Sequence, residues 1–69
     1  MENSKAPRFV KLTSHNSNQP IYLNVNMIGD IIGSDGYTRV GHLTHNNGGF
    51  KVSEEVDEVL YLINELLNN

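Results

Sequence analysis

The stretch that most limits the fold is Phe50 to Leu67, where a short apolar strand, Phe50-Lys51-Val52, gives way at Ser53 to a helix with one apolar side. Val56, Val59, Leu60, Ile63, Leu66 and Leu67 recur at i, i+3, i+4, i+7, i+10 and i+11, a spacing that stacks side chains along one side of a 3.6-residue helix. Such a stripe needs cover. The upstream chain offers only short strands, so the pattern predicts an α+β fold: a small antiparallel β-meander of about five short strands with one C-terminal amphipathic helix packed on the sheet.

Length makes the core thin. At 69 residues and 38% hydrophobic, there is room for one domain over residues 8 to 69, because a chain this short buries only roughly 60% of its unfolded surface. No cysteine is present, which excludes disulfides and thiolate metal sites and suits a reducing compartment. Association between subunits is then the common way to add stability. No apolar run reaches the length of a membrane span, and Met1 to Pro7 lacks the apolar centre of a signal peptide. The expectation is a cytoplasmic protein, without membrane insertion, in which Met1 to Pro7 form a flexible tail.

Taken in order, Arg8 to Thr13 alternates as a strand with Val10 and Leu12 inward and Phe9 and Lys11 outward. Ser14 to Pro20 is dense in turn residues and reads as a hairpin loop. Ile21 to Val25 alternates again, with Tyr22 and Asn24 outward, and Asn26-Met27 forms a corner. Ile28 to Gly33 reads as a third strand in which Gly29 or Gly33 marks a bulge or a close backbone approach, although Met27, Ile28, Ile31 and Ile32 also fit one helical turn. Asp35-Gly36 signals a tight hairpin. Tyr37 to Thr44 follows as the fourth strand, with a bulge at Gly41 bringing Val40 and Leu43 to one face. His45 to Gly49 forms the next turn, and Ser53 is a good N-cap for a helix whose first turns carry Glu54, Glu55, Asp57 and Glu58.

These residues resemble a known family. Val10-Lys11-Leu12-Thr13, Ile21-Tyr22-Leu23-Asn24 with Ile28 and Ile31, Thr38 and Val40, Gly49-Phe50-Lys51-Val52, and Glu54-Glu55-Val56-Asp57-Glu58-Val59 are similar to the FlbD/SwrD family of small flagellar-operon proteins. The resemblance covers about residues 8 to 64. It implies a strand-rich domain closed by a helix, no enzymatic activity, and an association with flagellar motor function. Relatives of this shape would also suit mobile-element or phage operons.

Little in the chain suggests catalysis. His15, His42 and His45 are the only set for a metal, and across a strand and turn they would point apart, so they read as loop histidines and no metal or cofactor is expected. Gly48-Gly49 with Asn46-Asn47 could offer amides to an anion but lacks the strand-to-helix setting of a phosphate loop. Ser14, Ser34 and Ser53 sit where hydroxyls serve turns or caps, and no serine, histidine and carboxylate set is spaced for hydrolysis. An enzyme is not expected.

The surface carries more information. Residues 53 to 69 hold five acids and no base, whereas residues 1 to 52 hold five bases and three acids. An acidic helix on a mildly basic sheet leaves only the strands for nucleic-acid contact. Phe9, Tyr22, Tyr37 and Phe50 are expected on the sheet face away from the helix, among Lys11, Arg39 and Lys51. With Leu62 and Leu66 at the helix edge, Phe9, Tyr22, Tyr37 and Arg39 predict an interaction surface for a homo-oligomer or another protein. The alternative is a small oligomeric binder of a nucleotide-like ligand or single-stranded nucleic acid, using Tyr22, Tyr37, Arg39, Asn46 and Gly48.

Overall fold

A computed structural model describes residues 8–45 and 48–68. The tail expected over Met1 to Pro7 and the loop residue Asn46 lie outside them. The described chain runs β1 (Phe9–Thr13), β2 (Pro20–Asn24), a 3₁₀ turn (Val25–Met27), β3 (Ile28–Ser34), β4 (Tyr37–His42), β5 (Phe50–Val52) and α1 (Val56–Leu67). All strand pairs are antiparallel, in one two-stranded sheet, β1-β2, and one three-stranded sheet, β3-β4-β5. This is the expected α+β fold of five short strands with a helix packed on them. No helix among the described residues is long and apolar enough to cross a membrane.

A single bridge, Ser14 to Val52, joins the sheets. His15 N–H donates to Lys51 O and Ser53 N–H to Thr13 O, both at 2.9 Å, on either side of it. The spatial order is therefore β2-β1-β5-β4-β3. The helix lies over the inner side, touching β1 and β3. Beneath it the core gathers Val10, Leu12, Leu23, Val40, Val52 and Val59, with buried Thr38 beside them. Strict alternation explains the first hairpin: Val10 faces Leu23 and Leu12 faces Ile21 inward, while Lys11 faces Tyr22 outward. Asn18, at φ 61°, turns its loop, a conformation that asparagine tolerates better than most residues. Pro20 has no N–H to give, which suits the start of an edge strand.

Three expectations are corrected. The bulge expected at Gly41 does not form; Ile28 pairs with His42 and Ile31 with Val40, so the extra residue lies on β3 beside Gly29, one of the two glycines expected to mark a bulge there. Gly41 instead makes room for it, because a side chain there would meet the Asp30 carboxylate. With β4 left regular, Thr38 and Val40 point inward, and Leu43 falls beyond the strand end with 75% of its surface exposed.

Ser53 is not the helix cap. The N-cap is Glu55, without a side-chain bond, because the two preceding residues are used in joining β5 to β1. Ser53 gives its N–H to Thr13 O, and the Glu54 carboxylate accepts from Thr13 N at 2.9 Å and Thr13 Oγ1 at 2.8 Å. The helix start is still acidic, through Asp57 and Glu58. At the other end Arg8 donates to Leu66 O, placing a cation where the helix dipole is negative.

The apolar stripe is rotated from the one the spacing predicts. Val59 is fully buried, and Val56, Leu62, Ile63 and Leu66 are half-buried, whereas Leu60 and Leu67 are 49% and 55% exposed. The reason is the width of the cover: β1 and β3 flank the helix, and the side chains at its shoulder extend past them.

Candidate interaction surface

The outer face of β1 and β2 presents Phe9, Lys11 and Tyr22 because these alternate with the buried Val10, Leu12 and Leu23. Phe9 and Tyr22 are 51% and 59% exposed. Leu62 and Leu66 meet Phe9, Lys11 and Glu65 around a groove of about 290 Å³. Three residues assigned to the interaction surface, Phe9, Leu62 and Leu66, are thus brought together. Leu62 and Leu66, however, floor the groove and pack against the core instead of standing free at a helix edge. The free edge is formed by Leu60, Tyr61 and Leu67, with Asp57 and Asn64 around a second shallow depression. Sequence reasoning missed Tyr61, although its i−4 and i+4 neighbours, Asp57 and Glu65, mark that side of the helix as solvent-facing.

The outer face of the second sheet carries the other expected residues. Arg39 lies between Ile32 on β3 and Lys51 on β5, and Tyr37 lies two residues along the same face. Lys51 Nζ sits 5.2 Å from the centre of the Tyr37 ring, within cation–π range. His15, from the first hairpin loop, tilts against the same ring at 5.2 Å. Hydrogen bonding from Ser34 first, then from Arg39, with the positive charges of Lys51 and Arg39, holds the Tyr37 phenol below the ordinary tyrosine pKa. An electropositive aromatic patch results.

Arg39 also reaches Gly48, where a side chain would meet its guanidinium. They border a depression of about 340 Å³ with Asp30, Ile32 and His45. Of the expected ligand-binding residues, Arg39 and Gly48 converge here and Tyr37 is adjacent to Arg39. Tyr22 does not join them, because β1 and β5 lie between its strand and β4. Phe50, expected on the outer face, turns inward onto the core, with His45 stacked on it at 4.4 Å and His42 edge-on at 5.8 Å. The histidines are therefore split between two places, and among the described residues no group of three metal-ligating side chains comes together. His42 Nδ1 lies 2.7 Å from Thr44 Oγ1, and its buried Nε2 has no protein partner.

The class this arrangement defines is a small α+β module with a thin core and a large aromatic and apolar exterior. No family model, curated protein or solved structure matches the chain.

Proposed function

We propose that the protein is a non-enzymatic interaction module that associates with copies of itself. One observation carries this reading: eight large hydrophobic side chains stand exposed among the described residues, against six that are buried in the core. Scattered exposed leucines are ordinary, but four of these eight line two grooves, Phe9 beside half-buried Leu62 and Leu66, and Leu60, Tyr61 and Leu67 together. Burying aromatic and aliphatic surface between subunits would supply the stability that a single small core supplies poorly. The resemblance to the FlbD/SwrD family is in keeping with a protein that works by contact. Sedimentation velocity over a micromolar concentration series tests the reading. The expected result is a mass above the 7.7 kDa of one chain; a folded monomer throughout would remove it.

A second reading is favoured by the approach of Arg39 to Gly48 beside the depression. In it the module sequesters a nucleotide-like ligand or a short single strand, with Arg39 on the phosphate and Tyr37 nearby for stacking. A thermal-shift screen with nucleotides and oligonucleotides tests it, since a ligand at 100-fold its dissociation constant adds about 2.7 kcal/mol. No stabilisation across the panel discards it.

A further inference from the structure

We infer that the solvent side of α1 in one copy docks on the outer face of β3, β4 and β5 in another. This rests on the self-association reading and assigns its two surfaces. The helix side presents Asp57, Tyr61 and Glu65, with Leu60 and Leu67 at its shoulder, and residues 53 to 69 contain no base at all. The sheet side presents Arg39 and Lys51 around Tyr37, with Ile32, 51% exposed, beside Arg39. Each surface combines apolar area with an excess of one charge: Asp57 and Glu65 outweigh nearby Lys11 on the helix side, Arg39 and Lys51 outweigh Asp30 on the sheet side, and the two excesses are opposite in sign.

Complementarity of this kind selects a partner and its orientation more than it adds affinity, and it suppresses contacts between like surfaces. Helix against helix would set Asp57 and Glu65 against their own copies. Sheet against sheet would do the same with Arg39 and Lys51. Helix against sheet pairs both, and both surfaces exist on one chain. The occupant is therefore a second copy. Because the helix covers the inner side of the strands, its solvent side and the outer face of β3 to β5 point in opposite directions. The contact is head-to-tail, and it propagates until a ring closes or a filament grows.

Charge reversal tests this directly. R39E/K51E makes both surfaces acidic, and D57K/E65K makes both basic. Lys51, Asp57 and Glu65 are exposed and Arg39 is half-buried, and circular dichroism verifies that each variant folds. Each variant alone is expected to self-associate roughly tenfold or more weakly than wild type, and an equimolar mixture is expected to recover association, because each helix then meets an opposite sheet. Raising salt on the unaltered protein should weaken assembly in parallel, which gives a readout that does not depend on a substitution.

Wild-type-like assembly of either variant, or a mixture that stays dissociated, would overturn the inference while leaving self-association standing. A wild type that never associates would instead remove the underlying reading. An oligonucleotide that binds the Arg39 and Lys51 face of a monomeric wild type would assign that face to a polyanion, which also overturns the inference.

Discussion

Replacing Glu54 with alanine removes both acceptors that hold Thr13, the residue at the end of β1, next to the bridge between the sheets. A hydrogen bond to a charged group contributes about 1.5 to 3 kcal/mol. Two bonds sharing one carboxylate are not additive, and both partners are only half-buried, so E54A should cost roughly 2 to 4 kcal/mol. That is a large share of the roughly 3 to 10 kcal/mol a domain of this size holds. Urea denaturation followed by circular dichroism should show a lower midpoint at unchanged slope, and the melting temperature should fall by roughly 8 °C or more. E54Q keeps the shape but loses the charge, and should cost only about 1 kcal/mol. A T13V/E54A double-mutant cycle isolates the hydroxyl bond from the backbone bond. If E54A stays within about 0.5 kcal/mol of wild type, the carboxylate does not join the sheets and the reasoning fails.

The helix face gives a paired test: V59A should cost roughly 1.5 to 3 kcal/mol, because the side chain is fully buried, whereas L60A should stay within about 0.5 kcal/mol. Equal losses in the denaturation midpoints of dilute samples would refute the rotated stripe. Tyr37 should titrate below the ordinary tyrosine range in an absorbance titration read as wild type minus Y37F, with S34A and R39Q each moving the midpoint up. The sign for stability follows from the depressed folded value. Ionised Tyr37 favours the native state above its unfolded pKa, and the contribution is lost as pH falls through the folded pKa, so the stability difference between wild type and Y37F should grow on the alkaline side. A midpoint unmoved by S34A would contradict the assigned cause.

Period-2 and period-3.6 patterns in the sequence determined the strands, the helix and most of the core, because alternation at Val10, Leu12 and Leu23 and the repeat through Val59 and Ile63 leave each element one apolar side to bury. The alternation around Gly29 and Gly33 also points to a bulge on β3 without deciding between the two glycines, whereas the bulge it suggests at Gly41 does not form. What the local pattern does not contain is the bridge from Ser14 to Val52, a pairing between residues far apart in the chain. That long-range contact takes Ser53 and Glu54 out of capping the helix, and it separates Tyr22 from Tyr37 and Arg39 by two strands. The width of the strand cover then decides which stripe residues are buried, so Leu60 and Leu67 emerge while Leu62 and Leu66 sink into a groove. Hydrophobic spacing specifies that a side of the helix is covered; only the shape of the covering surface specifies how far around the helix that cover extends.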